Sequence, residues 1–478
     1  MSERQLVIDA LLRQDLPSFL AKAFSTLEPG RTLHQNWHHL AMTWALSQVA
    51  AGQMRRLIIN VPPRHLKSLC VTVAFTAWVL GRDPSRRIMS VSYGEDLARK
   101  HAVDARMVME SDWYRRIFPS FGLKAVRQRE VVTTSNGFRY AGSVGGAILG
   151  RGADLIVIDD PIKSMDVLSA VERQRVKEFY DNTLYTRLDD KGRGAIVIVM
   201  QRLHADDLVG HVLSKEDWEV LTIPALATED HRYDIGPGEH HLRRAGELIQ
   251  PEREGRDVLE LIRRTLGSLS YSAQYQQAPV PPEGNAIKRE WLRFYDAVPA
   301  DLDLVVVSWD PASTLGETSD YSVGTVWGLK GSDIYLLDVV RGRFEVPDLR
   351  RRIIAVHQQR RAHATIIEET DIGRALVQEM RQQAPVRPIL YPSRVDKEAR
   401  LLAQAPKIEA GQVLLPREAP WLACYMTELL AFPNGSHDDQ VDSTSQALGW
   451  LSRRMERPEL IDPPDEQRRR PPGQPRPR

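Results

Sequence analysis

The chain has 478 residues, enough for two or three domains, and its 64 Lys and Arg nearly balance 63 Asp and Glu. That balance leaves global charge silent about nucleic acid, so any basic groove must be local. Two distant cysteines, Cys70 and Cys424, exclude a disulfide framework and a cysteine metal motif, which fits a reducing cytoplasm; no run of eighteen apolar residues marks a membrane span, and MSERQLVIDALLRQD lacks an apolar signal core.

Residues 1–52 read as helical. LVIDALLRQDLPSFLAKAF has apolar residues at three-to-four spacing, and LHQNWHHLAMTWALSQV follows as a second helix. Gln35 and Trp37 lie just upstream of the next motif, where an amide and an aromatic ring suit an adenine. Trp37 and the histidines equally suit ordinary packing. No carboxylate or cysteine cluster accompanies His34, His38 and His39, so they are not expected to hold a metal.

LIINVPPRHLKS, residues 57–68, combines a buried strand, a tight loop and Lys67-Ser68 at the start of the apolar helix LCVTVAFTAWVL. Strand, loop, Lys-Ser and helix form the order of a phosphate-binding loop. Backbone N–H groups and the helix N-terminus hold phosphate oxygens, Lys adds charge, and Ser ligates Mg²⁺. The usual pattern has glycines where this chain has Val61 and Leu66. Pro63, Arg64, His65, Leu66, Lys67 and Ser68 are the candidate nucleotide contacts.

Residues 86–95 supply a strand ending in Ser-Tyr-Gly, a candidate coupling or DNA-contact loop, then a helix. A short strand and a glycine-rich loop precede DLIVIDDPIK, residues 154–163. There an apolar strand delivers Asp159 and Asp160 at its C-terminal end, where open α/β sheets bind ligands. Asp159 is expected to hold Mg²⁺, and Asp160 to act as the base orienting the attacking water. AIVIVM, residues 195–200, is another buried strand. It ends in Gln201, a candidate γ-phosphate sensor, and Arg202. Arg202 and Arg64 are both candidates for the arginine that neutralises transition-state charge in cis. Residues 231–256 read as a surface loop.

The Pro-rich segment 276–295 reads as a linker between an ATPase domain (1–275) and a second domain (296–455), before a Pro/Arg-rich tail (456–478) expected to be disordered. In the second domain a strand delivers Asp310. Two more strands flank the hairpin turn Lys330-Gly331-Ser332. A helix then precedes ATIIEE, which delivers Glu368 and Glu369, and HDDQVDSTSQALGWL opens a helix with Asp438, Asp439 and Asp442. Carboxylates on a first strand, a fourth strand and a late helix form the arrangement of an RNase H-like nuclease. Two Mg²⁺ or Mn²⁺ roughly 4 Å apart would need such oxygen ligands. Asp310, Glu368 and Asp439 are the core set. Asp438 and Asp439 point about 100° apart on a helix, so one is the main ligand, and Asp442 supports them. Asp320 and His437 are lesser candidates. Arg394, Lys397 and Arg400 are candidates for DNA backbone contact, and Arg468, Arg469 and Arg470 in the tail for contact with DNA or another component.

The motifs VPPRHLKS, SVSYGEDLA, GRGADLIVIDDP, MQRLHADDLVG and SLSYSAQYQQAPVPPEGNAI, in that order, resemble the large terminase subunit of tailed bacteriophages and prophages. Glu368 stands five residues before Gly373, as this family's second acid does. The resemblance implies an α/β P-loop ATPase domain of the ASCE type with a mainly parallel sheet, followed by the nuclease. It implies ATP-driven translocation of double-stranded DNA into a procapsid and cutting of concatemeric DNA. The implied partners are a portal protein, a small terminase subunit and further copies in a ring, a pentamer. The implied location is the bacterial cytoplasm, transiently at the procapsid portal. A helicase–nuclease of DNA repair would need a second RecA-like domain, and no strand–helix series of that length lies between 210 and 300. A degenerate prophage DNA-binding protein would have neither activity.

Overall fold

The computed structural model describes residues 2–146, 148, 150–279, 286–312, 321–383, 385–392, 396–434 and 438–455. Asp320, Arg394, His437, linker residues 280–285 and the tail 456–478 lie outside them. The chain divides into two compact units, Met1–Pro281 and Pro282–Arg478. Among the described residues no helix is long and apolar enough to cross a membrane.

The first unit is built on an eight-stranded sheet of β1 (Arg56–Asn60), β2 (Arg87–Ser92), β3 (Leu123–Val126), β4 (Glu130–Thr133), β5 (Phe138–Ser143), β6 (Leu155–Asp159), β7 (Ala195–Met200) and β8 (Glu219–Thr222). Their order is β3-β4-β5-β2-β6-β7-β1-β8. The six strands from β5 to β8 are parallel, and β3 and β4 form an antiparallel edge. Strands buried on both faces must be apolar, which is why β6 reads LIVI before Asp159 and β7 reads AIVIVM. Alternate residues serve opposite cores: Ile59, Val157 and Val197 pack with Phe19, Phe75 and Tyr114, while Ile58, Ile158 and Ile198 pack with Tyr180 and Val209. β7 intervenes between the loop strand β1 and the acidic strand β6. Asn60 aligns with Met200, and Asp159 with Val199 and Ser92, so the strands' C-terminal ends meet along one edge.

The first expected helix is two, Glu3–Gln14 and Leu16–Leu27. Asp15 ends one and caps the next, accepting from Ser18 N–H at 2.9 Å, with Pro17 in the new first turn. The expected surface loop 231–256 instead contains a hairpin of β9 (His231–Gly236) and β10 (Glu239–Arg243). It packs on the main core, since Tyr233 is buried with Leu46 and Ile59 and Trp37 stacks on His241 at 4.5 Å.

The second unit's sheet comprises β11 (Arg293–Tyr295), β12 (Leu304–Asp310), β13 (Ser322–Lys330), β14 (Asp333–Gly342), β15 (Ala364–Glu368), β16 (Ile389–Tyr391) and β17 (Val413–Pro416), in the order β11-β17-β14-β13-β12-β15-β16. β12, β13 and β14 form an antiparallel meander, and β15 and β16 run parallel to β12. This is the RNase H-like arrangement, widened by β17 and β11. Residues 286–295, expected as linker, belong to this unit. Ala286 and Ile287 are buried in its core, Ala286 N–H donates to Phe432 O at 2.8 Å, and β11 pairs with β17. Helices Val346–Gln359 and Asp371–Gln383 cover one face, and helix Asp439–Met455 covers the other.

The last helix packs through polar groups as well as Val441, Leu448 and Leu451. Ser308 Oγ donates to Ser443 O and Ser443 Oγ to Ser308 O, both at 2.8 Å, and Gln446 Nε2 donates to Ser308 Oγ at 3.0 Å. Such a network fixes the height of the helix along β12.

Candidate phosphate-binding and acidic centres

In the first unit the loop after β1 turns without the usual glycines. Arg64 and Leu66 take left-handed backbone angles, with φ of 66° and 59°. Each such residue stores roughly 1–3 kcal/mol of strain, of the kind concentrated at ligand-binding loops. Leu66 O then accepts the first helical bond, from Cys70 N–H at 2.9 Å, so Lys67 and Ser68 sit at a helix start. The following helix is π-helical over Leu69–Phe75 and α-helical over Thr76–Arg82.

The sheet brings the two distant motifs together. Lys67 Nζ lies 2.8 Å from Asp160 Oδ2, and Ser68 Oγ donates to Asp159 Oδ1 at 3.0 Å. Thr72 Oγ1 donates to Asp159 Oδ2 at 2.6 Å, and His101 Nδ1 stands 3.6 Å from that oxygen. Thr72 was not legible as a site residue, although it lies one turn after Ser68 on the same helix side. Burial raises the Asp159 carboxyl, against the pull of Lys67, Thr72 and Ser68. Burial also raises Asp160, with Asp159 adding to it and Lys67 opposing. Asp160 takes a left-handed φ of 44°, held by its N–H on Val199 O and by Tyr93 N–H on its own carbonyl. Gln201 reaches the centre through its backbone, which hydrogen-bonds the Asp160 carboxylate, while its side-chain Nε2 donates to Ser164 Oγ at 3.2 Å.

The two arginine candidates separate. Arg202 Nε donates to Asp207 Oδ2 at 3.0 Å and its N–H to Gln277 Oε1 at 2.8 Å, so it braces the turn into the helix Leu208–Leu213. Arg64 is exposed at the loop tip, and its carbonyl accepts from Arg253. Pro63 O is 2.9 Å from His65 Nδ1, which turns that ring into the core. Gln35 is exposed, one residue before the cap Asn36, and Trp37 is committed to the hairpin. Behind the loop, burial lowers His38 to about 2, and His39 and His65 to about 4, with neighbouring positive charge adding to each.

In the second unit Trp309 of β12 pairs with Ile367 of β15, so Asp310 and Glu368 end adjacent parallel strands. Gly373 permits the close chain path there, since a Cβ on it would stand 2.0 Å from Glu368 O. Burial raises Asp310 well above the usual carboxylate range, and its hydrogen bond to Glu368 and the charges of Glu368, Asp442 and Asp439 add to this. Burial also acts to raise Glu368, but the Asp310 hydrogen bond, Arg400 and Lys397 outweigh it and leave Glu368 lowered. Asp439 is buried and belongs to this cluster. Asp438 is partly exposed and accepts from Lys397 Nζ at 2.9 Å. Arg400 bridges Glu368 Oε1 at 2.7 Å and Asp442 Oδ1 at 2.8 Å, and Lys397 Nζ lies 2.6 Å from Asp442 Oδ2.

The donor sets fit hard divalent cations in kind. Neighbouring ligands of an octahedral Mg²⁺ are about 2.9 Å apart, and Ser68 Oγ and Asp159 Oδ1 stand 3.0 Å apart. In the acidic centre one carboxyl must carry a proton to bond the other, and a cation can replace that proton. Among the described residues no three His, Cys, Asp or Glu side chains are disposed as a ready metal site. Arg400 and Lys397 stand among the carboxylates instead.

Residues 307–449 match the family model described as the terminase RNaseH-like domain. The large terminase of a thermophilic bacteriophage has a similar fold. In one crystal form it is 12% identical, with 87% of this chain and 99% of that chain covered and a TM-score of 0.51. In a second the values are 11%, 85%, 98% and 0.54. In its complex with ADP they are 12%, 85%, 98% and 0.51. No curated protein sequence matches the chain.

Proposed function

We propose that this chain, which carries a terminase RNaseH-like domain and has the fold of a bacteriophage large terminase, is the ATP-driven motor and endonuclease of phage DNA packaging. The observation that carries this reading is one chain bearing two separately built centres. One is a phosphate loop facing paired aspartates, and the other is a cluster of carboxylates at adjacent strand ends. Residues 219–279 hold one strand, a hairpin and a helix, which favours a packaging motor over a helicase with a second RecA-like domain.

In the motor, the backbone of Pro63–Ser68 and the helix start cradle the ATP phosphates. Lys67 leaves Asp160 for the outer phosphates, and the freed carboxylate orients the attacking water. Ser68 and Asp159 would hold Mg²⁺, which would supply charge against the phosphate oxygens. Gln201 senses the γ-phosphate, Gln35 reads the adenine, and Arg64 rather than Arg202 neutralises transition-state charge. The ADP complex of the thermophilic phage's large terminase supports nucleotide use by this fold.

In the nuclease, Asp310, Glu368 and Asp439 would hold the divalent metal ions, Mg²⁺ or Mn²⁺, whose chemistry would be to activate water against a phosphodiester. Asp439, not Asp438, is the ligand of the helix. The chain acts on concatemeric double-stranded DNA in the host cytoplasm and at the procapsid portal. It works as a pentameric ring, with portal protein and small terminase subunit.

The test is ATP turnover on linear DNA beside plasmid cleavage with Mn²⁺ or Mg²⁺, for the unaltered chain, Lys67→Ala and Asp310→Ala. Loss of turnover alone in the first variant and of cleavage alone in the second supports the reading. Cleavage surviving Asp310→Ala would overturn the nuclease assignment.

A further inference from the structure

The acidic centre carries two cations of its own, both from the helix Lys397–Leu402. Arg400 is nine-tenths buried, and its two terminal nitrogens take one oxygen each of Glu368 and Asp442. Its Nε–H is buried with no hydrogen-bond acceptor among the described residues. Lys397 takes the other Asp442 oxygen and, through the same ammonium, Asp438. One Asp442 oxygen therefore accepts from Arg400 at 2.8 Å, and the other is ion-paired with Lys397 Nζ at 2.6 Å. An ion bridging Glu368 and Asp442 would have to expel a guanidinium that cannot shed its charge. Asp310 is hydrogen-bonded to Glu368 and feels the charges of Glu368, Asp442 and Asp439.

We propose that Arg400 and Lys397 occupy the place of the second metal, so that the centre takes one divalent cation on Asp310, Glu368 and Asp439. Asp442 is then the anchor of the two basic side chains and not a ligand. This rests on the nuclease reading and changes its two-metal form. The fixed guanidinium supplies positive charge where a second ion would face the phosphodiester. Arg suits the role because its planar fork matches two carboxylates at once and stays charged at every working pH. Half-exposed Lys397 keeps its ammonium within reach of a DNA phosphate.

The test counts Mn²⁺ on the full-length chain without nucleotide, by calorimetric titration and electron paramagnetic resonance. All proteins carry Asp159→Asn, so that the motor centre does not add to the count. One Mn²⁺ per chain with the spectrum of an isolated ion, lost in Asp310→Asn, is expected. Two Mn²⁺ with a spin-coupled spectrum would overturn the proposal. The double variant Lys397→Gln/Arg400→Gln, checked for folding by circular dichroism, is expected to rise from one bound ion to two coupled ions. A count that stays at one shows that these side chains do not fill the second place. No Mn²⁺ binding at all, with no plasmid cleavage, would remove the nuclease reading rather than the count.

Discussion

The Lys67 ammonium stands 2.8 Å from the Asp160 carboxylate, so the charges contributed by two distant motifs are paired with each other. On the proposed reading, phosphate oxygens would draw the lysine away, and the carboxylate would become available as a base in the same movement. Asp160→Asn keeps the shape and removes the base. ATP turnover should fall roughly 10²–10⁴-fold while fluorescent-nucleotide affinity changes little. Turnover near the unaltered rate would show that Asp160 is a partner of Lys67 only.

Thr72 holds the same Asp159 oxygen that His101 approaches. Thr72→Val is nearly isosteric and deletes a hydrogen bond to a buried carboxylate. Thermal unfolding should show a loss of about 1.5–3 kcal/mol, with ATP turnover reduced because Asp159 is no longer fixed. An unchanged melting temperature would mean that Ser68 alone orients this group.

The two arginines should part in a pair of assays. Arg202→Ala removes the charged donor from the fully buried Asp207 carboxylate, which keeps the backbone N–H groups of Leu203, His204 and Gly210, and at about 1.5–3 kcal/mol should lower the melting temperature. Arg64→Ala touches an exposed side chain, so stability should stay within about 0.5 kcal/mol. Its ATP turnover should drop roughly 10³–10⁵-fold if it is the cis finger. A melting loss in Arg64→Ala with normal turnover would reverse the assignment.

The histidines behind the phosphate loop make the first unit sensitive to acid. His39 and His65 are held near 4 and His38 near 2, against 6.5 for a free side chain. Between pH 6.5 and 4 the unfolded chain binds these protons and the folded chain does not. Stability is therefore full above pH 6.5 and falls through that window, by up to about 1.4 kcal/mol per pH unit for each group. Melting temperature measured from pH 7.5 to 5 should decline, and His38→Leu should flatten the decline. A flat profile in the unaltered chain would contradict the burial of these rings.

Strand ends were the most legible part of the sequence. Leu155–Asp159 and Leu304–Asp310 are apolar runs that stop at a carboxylate, because a strand buried on both faces must be apolar until it emerges at the ligand edge. Glu368 was legible on the same ground. Side-chain pairing across the sheet was not. Nothing local to Arg400 says that it spans Glu368 and Asp442, since that pairing exists only once distant segments assemble. Arg64 and Arg202 look alike in sequence as basic residues after strand ends, and the exposure of one and the Asp207 and Gln277 contacts of the other distinguish them. Asp438 and Asp439 differ by a helical rotation that sequence spacing leaves unphased. Packing of Val441, Leu448 and Leu451 against the sheet supplies the phase. The polar run DSTSQ in that helix carries no apolar signal of burial, yet its side chains are buried, Ser443 and Gln446 on β12, Asp442 on Arg400 and Thr444 on Tyr425.

The docking of helix Asp439–Met455 onto β12 has a consequence for the order in which the molecule matures on the ribosome. Lys67, Ser68, Asp159, Asp160 and Gln201 have all been synthesised before residue 202, whereas the acidic centre lacks Asp439 until most of the chain has been made. Domains fold from the N-terminus as synthesis proceeds at about 5–20 residues per second, so the later centre trails the earlier one by tens of seconds at the slower rate. A nascent chain can thus bring Lys67 to Asp160 while the acidic centre is still one carboxylate short.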